Sequence, residues 1–409
     1  MFSLPKASIE RHLRALRARL GNLPEADMKE AYAAGMESEW DRVMAKAENY
    51  VQGPDVLEKG GHFSAASVGN WFLVADAAGV ERVPAEVVSV VSPVLMMDMY
   101  TNLMNAESQE QIDAFFARNG DEFSRFVNDL QRIGPNQIVR YDTSADGRLK
   151  AQLALGRDTG EIPEFKGYRQ TPTAILPDFD ERILRLLMEN PENSSPVWAR
   201  DWVVPRMSSG TRENAFSYTV NAADLERAAD PMTPDEEAGN VGVDPQRMDY
   251  GDHASDGNLF PHEWRVFIRD GEVRAIGNYY TQISRATTED DLIEAAQTVM
   301  EIRDMAQRIV DVLKEKEAVP HHPQYEDASR LGFDPDAGHF TLDFMETADG
   351  RIILVDAGVG HLRNPPFGAH PVSFGAEKEP EGVAFGLGDI RTFEDVQKIL
   401  LSARSPTPE

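Results

Sequence analysis

Asp343 and Asp356 are the pair of residues in this chain best placed to do chemistry together. They lie in HFTLDFMETADGRIILVDAGVGH, residues 339–361, which reads as two strands of alternating apolar residues around an Asp349-Gly350 turn. With Asp349 and Gly350 as the two central turn residues, Ala348 faces Arg351, and counting back sets Asp343 opposite Asp356. Directly opposed residues of an antiparallel pair stand about 4.5–5.5 Å apart at Cβ, where like charges repel. Such a pair wants a cation or a shared proton; the alternative is a hydrated solvent face. Leu342, Phe344, Ile353 and Val355 form the apolar face, with both acids on the other. Hard oxygen ligands suit Mg²⁺, which takes one or two carboxylates and completes its shell with water and phosphate oxygens. The ribbon therefore points to a magnesium–nucleotide site. On this reading, removing either acid relieves repulsion and slightly stabilises the empty protein.

Phosphate needs cations, and arginine greatly outnumbers lysine in this chain. Its planar fork grips phosphate and carboxylate in bidentate fashion. Arg265 lies in EWRVFIRDGEVRAIGNYY, a second hairpin with its own Asp270-Gly271 turn. Counting from that turn pairs Arg265 with Ile276 and Glu263 with Asn278. Trp264, Val266, Ile268, Val273 and Ala275 form the packing face, and Glu263, Arg265, Asn278 and Tyr280 stand opposite with Phe267. Arg265 either faces a phosphate or forms a salt bridge with Glu263 or an aspartate.

The elements that must position these groups follow from the rest of the chain. Its 409 residues, 41% hydrophobic and 27% charged, suffice for two or three domains with proper cores. A net charge of −28 opposes general binding to nucleic-acid backbones or anionic membranes and favours basic protein partners. With no cysteine, thiolate nucleophiles and zinc–sulfur sites are excluded. No apolar window reaches membrane-span length and the N-terminus lacks a secretory pattern, so the expected location is cytoplasmic. There is no GxxxxGK[ST], no GxGxxG after a strand and no HExxH, which removes most weight from the P-loop, Rossmann and zincin classes.

Helical spacing dominates residues 1–134: Ile9, Leu13, Leu16 and Leu20, a long apolar run from Val87 to Met104, and a Ser108/Gln111 capping box. This predicts a mostly α-helical N-terminal domain over 1–134, the 87–104 run being a buried helix or helix pair. Strand-like Ile138–Tyr141 and Val197–Val204 follow, then a polar acidic insertion at about 208–260. Thr288 caps a long helix to about Lys316 ahead of the 339–361 ribbon. Residues 366–409 read as a Pro/Gly-rich C-terminal tail with a short helix, Thr392–Ser402.

Four segments in this order resemble the ATP-grasp superfamily, in which two α+β lobes clamp Mg-ATP between antiparallel sheets. They are Arg140-Tyr141-Asp142-Thr143-Ser144-Ala145, Ala199-Arg200-Asp201-Trp202, Glu263-Trp264-Arg265-Val266-Phe267-Ile268 and Asp343…Leu354-Val355-Asp356-Ala357-Gly358. The texture is similar to the cell division cycle protein 123 branch over about 136–362. The resemblance implies an α+β, ATP-grasp domain at 135–365 after the helical domain, with ATP and Mg²⁺ as cofactors. It places Arg140 on phosphates where the family uses lysine, with help from the Ser144 hydroxyl. Arg200, Asp201, Trp202 and Val203 would line the adenine, mainly through backbone hydrogen bonds. Arg265 would face the γ-phosphate or an acyl-phosphate, and Asp343 and Asp356 would ligate the metal. Gly358 departs from the family pattern, which has asparagine as a third metal contact there. The leading function implied is an ATP-dependent ligase, joining a carboxylate to an amine through an acyl-phosphate on a small-molecule or peptide substrate. The alternative is an ATP-binding assembly factor that holds a protein partner with little or no turnover. A third reading is a tagging ligase acting on peptides.

Overall fold

The C-terminal ribbon forms, by a different route from the one its turn suggests. The computed structural model describes residues 50–92, 95, 108–130, 137–142, 195–201, 203–209, 259–279, 283, 285–322, 334, 336–360, 380–386 and 390–404. Strands Phe340–Glu346 and Ile352–Val359 pair antiparallel, with Asp343 opposite Asp356 as counted. The turn, however, has three central residues. Thr347 N–H donates to the Arg351 carbonyl at 2.8 Å around Ala348-Asp349-Gly350, with Gly350 at φ 86°. A left-handed third residue is what a three-residue hairpin loop uses. That shift of one is cancelled by a β-bulge: Phe344 pairs with Leu354, Asp343 with Asp356, and Val355 is left out of the ladder. Between turn and bulge the faces are therefore exchanged. Ile352 and Leu354, not Ile353 and Val355, join Leu342 and Phe344 in the core.

The second hairpin shows the reverse combination. Asp270 (φ 52°) and Gly271 (φ 65°) make the predicted two-residue turn, both in the left-handed region that such a loop needs. A bulge then shifts the pairing between Phe267 and Ile268, so Arg265 faces Gly277 and Trp264 faces Asn278. Ile276 consequently packs in the main core, while Ala275 crosses to the other face beside Phe267.

Thirteen strands are described, β1 (Gly61–Ser64), β2 (Ala85–Val91), β3 (Gln137–Tyr141), β4 (Ser195–Asp201), β5 (Met207–Ser209), β6 (Leu259–Pro261), β7 (Glu263–Arg269), β8 (Glu272–Asn278), β9 (Ala318–His321), β10 (Phe340–Glu346), β11 (Ile352–Val359), β12 (Gly382–Ala384) and β13 (Ile390–Arg391). The helices are α1 (Asp55–Glu58), α2 (Val68–Ala77), α3 (Gln109–Leu130), α4 (Glu289–Glu315) and α5 (Phe393–Arg404). The protein is thus a mixed α+β molecule. Its main sheet has six strands in the order β11-β10-β7-β8-β12-β13, and a second sheet runs β2-β4-β3.

One face of the main sheet carries the core. Trp264, Val266, Ile268, Leu342 and Phe344 pack there against Trp71 and Val74 of α2, Ala296, Val299, Ile302 and Ile309 of α4, and Val396 of α5. The predicted cap of α4 is present in full: Thr288 accepts from Asp291 N–H at 3.1 Å, and the Asp291 carboxylate accepts in return from Thr288 N–H. The Ser108/Gln111 capping box is present too, at the head of a single helix running through to Leu130. Among the described residues no helix is long and apolar enough to cross a membrane.

Within the described part of 1–134, where a mostly helical domain is expected, two strands accompany three helices. Val87–Val91, the start of the run expected to form a buried helix, lies instead in β2, which pairs with β4. Its β-branched run Val87-Val88 with Val90-Val91 favours a pleated strand. β1 pairs in parallel with β9, far along the chain. Helix α2 is wedged between the sheets, sending Trp71 and Val74 into the main core and Val68 and Phe72 toward Trp198 of β4. A helix packed on two sides is apolar nearly all round, which describes VGNWFLVADA. Helical spacing in residues 8–49 lies outside the described residues. The tail 366–409 is likewise more than a tail, since β12 adds to β8 in parallel and α5, capped by Thr392, covers the core.

Candidate functional site

Alternation along the strands puts one set of side chains on the sheet face away from the core. Register places Asp343 opposite Asp356 on one side and opposite Arg265 on the other. Thr341 lies two residues along β10 from Asp343, opposite Gly358 and Phe267. Phe267 packs with Ala275 and Ala384 as a small apolar platform on the same face. The paired acids and the arginine predicted from sequence are therefore brought together, at the β11 end of the sheet.

The cation beside Asp343 is supplied by the protein. Arg265 Nε donates to Asp343 Oδ1 at 2.6 Å and Nη2 to Oδ2 at 2.5 Å, a bidentate pair using both carboxylate oxygens. The side chains are only 10% and 3% exposed. The guanidinium also stacks over the Tyr279 ring, 4.7 Å from its centroid. Burial alone would lower the Arg265 pKa; the Asp343 charge reverses that and raises it above its ordinary value. Asp356 is half-buried, and its Oδ1 accepts the Ala357 N–H at 2.8 Å.

The Arg200 side chain, whose backbone is expected beside an adenine, reaches across to β11. Its Nη1 donates to the Val355 carbonyl at 2.8 Å, and Val355 is the residue that the bulge leaves unpaired. Arg200 thus ties β4 of the small sheet to the irregularity that sets Asp356 opposite Asp343. Asp201 and Val203 lie at and just beyond the end of β4, Asp201 exposed and Val203 half-buried. Arg140 occupies its predicted strand, opposite Trp198. The Arg140 side chain, Ser144 and Trp202 lie outside the described part of the structure. Asp142, two residues beyond Arg140, anchors this corner: Oδ1 accepts Gly69 N–H and Trp198 Nε1–H, each at 2.9 Å. A Cβ on Gly69 would come within 2.5 Å of the Trp198 ring, so only glycine permits this approach.

A second polar cluster, on the core side of the sheet, was missed. Buried Glu346 accepts Trp264 Nε1–H at 2.8 Å and Arg285 Nη2 at 2.9 and 3.0 Å, with Arg206 Nη1 at 3.4 Å. His262 Nδ1 stands 3.6 Å from Glu346, and its Nε2 lies 2.5 Å from Ser208 Oγ. Burial would raise the Glu346 pKa, but His262, Arg285 and Trp264 outweigh it and hold it at about 2. Arg206 also pairs with Glu294 of α4, so this cluster locks β5, β7, β10 and α4 together. Sequence carried one signal for it: Glu346 shares the phase of Leu342 and Phe344, and an acid in a core-facing phase requires cations.

The donor set suits magnesium within limits. Two carboxylates match the number Mg²⁺ usually takes from protein, the remaining positions going to water and phosphate. Among the described residues no third acid or histidine joins them. At Gly358 a Cβ would meet nothing within 4 Å, so the position that holds asparagine in the resembled family is open space here.

No protein-family profile and no curated protein matches the chain. Among solved structures it is similar to Cdc123 from Schizosaccharomyces pombe, with 12% sequence identity and a TM-score of 0.33 over 72% of this chain and 82% of that one. An overlay at that score leaves function to rest on the residues themselves.

Proposed function

We propose that this chain binds Mg-ATP on the outer face of its main sheet and uses the bound nucleotide to hold a conformation competent for a protein partner. The observation that carries this reading is the row Arg265–Asp343–Asp356 across β7, β10 and β11, with Arg200 bonded to the bulge beside it. Asp356 and Asp343 are the groups to hold Mg²⁺, and Arg265 and Arg140 the groups to hold phosphate. The Arg200–Val203 strand end, with Ser144, borders the nucleotide. A triphosphate spanning the two sheets would join them through charge-assisted bonds, strong ones in a site screened from water. The net charge of −28 favours a basic segment as the partner. In this role ATP is bound with little or no turnover.

A second proposal is the ADP-forming carboxylate–amine ligase. Arg265 favours it, being a buried, permanently charged group beside the Asp343 carboxylate, where charge on a transferred phosphoryl group would be neutralised. Acyl transfer through a mixed anhydride needs no protein nucleophile, which suits a chain without cysteine.

Calorimetric titration with ATP, in EDTA and in excess Mg²⁺, tests the shared core of both readings. Metal-dependent binding abolished by Asp356→Asn is the expected result; equal heats in the variant and the parent would sink it. Phosphate release that rises when amino acids are added selects the ligase, and tight binding without release selects the assembly role.

A further inference from the structure

Arg265 and a divalent cation compete for the same carboxylate. The guanidinium engages both oxygens of Asp343, in a pair almost closed to solvent, and is backed by the Tyr279 ring. Asp343 is therefore already neutralised when no ligand is present. An incoming metal ion would have to stand beside a buried, permanently charged group, in surroundings that screen the repulsion poorly. Asp356 alone is a weak ligand set for Mg²⁺, which gives up its hydration water reluctantly.

We infer that Arg265 is an internal counter-ion that makes metal binding conditional on polyphosphate. The bare protein rejects the free divalent ion, and metal and triphosphate enter together. Phosphate oxygens offer the guanidinium a replacement for Asp343, since both present the paired acceptors its fork requires. Once Arg265 has that second partner, the Asp343 oxygens are released to the metal. Each ligand thereby strengthens the other, with a coupling of about 5–150-fold as linkage between two sites usually shows. In a cell this device would keep the site from filling with stray cations while no nucleotide is present. The inference rests on the Mg-ATP reading above and adds an order of events to it.

The test uses Mn²⁺ as the probe, followed by the electron spin resonance signal of the free ion and by the melting temperature of the full chain. Wild type should leave Mn²⁺ alone unbound and its melting unchanged, while Mn²⁺ with ATP raises the melting temperature. Arg265→Gln should take up Mn²⁺ alone at least about tenfold more tightly than wild type, because the freed carboxylate then lacks any cation. Metal should also restore melting temperature to that variant, so partial unfolding of the apo form does not hide the effect. Arg265→Lys keeps the charge and should exclude the metal as wild type does. Tight binding of Mn²⁺ alone to wild type would overturn the inference and leave the Mg-ATP reading standing. Failure of Arg265→Gln to bind Mn²⁺ while wild type binds Mg-ATP would do the same. Absence of Mg-ATP binding by wild type removes both.

Discussion

Asp343→Asn separates the sequence-level view of this site from the structural one, because the two give opposite signs. Register alone makes Asp343 and Asp356 repelling neighbours, so neutralising either should stabilise the empty protein. In the structure Asp343 is instead the partner of a guanidinium that is 10% exposed and stacked on Tyr279. Asparagine keeps one acceptor oxygen, but its amide N–H groups would point at the N–H donors of Arg265. Removing one partner of a buried ion pair typically costs about 3–5 kcal/mol, since the charge left behind stays desolvated. At about 2–4 °C per kcal/mol for domains of 150–250 residues, that is a fall of roughly 6–20 °C, nearer the lower figure in a longer chain. Asp356→Asn, at a half-buried position where the amide oxygen can still accept the Ala357 N–H, should stay within about 0.5 kcal/mol of the parent. Melting followed by circular dichroism, without nucleotide, reads both. Replacing the whole pair, Arg265→Leu with Asp343→Leu, should recover most of the loss. Asp343→Asn melting at or above the parent temperature would refute the ion-pair account and return the site to simple repulsion.

Further predictions concern acid, metal and the bulge. Burial, then Arg269, hold the His339 imidazole at about 4 against an ordinary 6.5, so its stabilising contribution is complete above pH 6.5 and drains away as pH falls toward 4. That window is worth about 3 kcal/mol, and His339→Gln should flatten the fall in urea midpoint across it. Glu346 sits at about 2 against an ordinary 4.5, so its share is complete above pH 4.5 and is lost on acidification toward 2. Glu346→Gln should remove that later slope, also about 3 kcal/mol deep, and a parent slope surviving in the variant would exclude Glu346 as its source. Gly358→Asn fills open space and adds an oxygen on the face of Asp356. It should leave melting unchanged and tighten Mg-ATP by about tenfold, or about 1.4 kcal/mol; unchanged affinity would place Gly358 outside the site. Arg200→Ala leaves the Val355 carbonyl without that donor, and should cost about 1–3 kcal/mol and speed amide exchange at Asp356 and Ala357.

Local signals in the sequence were read well where the structure is itself local. The Thr288 and Ser108 caps, the Asp270-Gly271 turn and the opposition of Asp343 to Asp356 need only neighbouring residues to be recognised. The last of these came out right although the route to it did not, because a longer turn and a bulge shift the register in opposite directions. Nothing in TADGRIILVD marks the bulge; it is held by Arg200, which arrives from another sheet. Long-range pairing was equally invisible. β1 meets β9 through GHFS and AVPH, two short segments with no pattern of their own. For Arg265 the sequence leaves a phosphate contact or a salt bridge to Glu263 or an aspartate open; that the aspartate is Asp343 follows from β7 lying beside β10, a pairing no turn count gives. The depth at which that bridge is buried is something composition and periodicity do not report.

The parallel joining of β1 to β9, with α2 inserted between the sheets, has a practical side. Trp71 rests 4.8 Å from the Phe340 ring, and Phe63 leans edge-on against Trp71. A recombinant fragment beginning at residue 135 would be severed from both aromatics and from the helix that covers the Asp343 strand from behind. Its largest sheet would then show bare hydrocarbon to water, an invitation to clump. Dissecting this protein into halves therefore has to respect the fold's own seams: residues 50–91 travel with the main sheet, whatever lies before them.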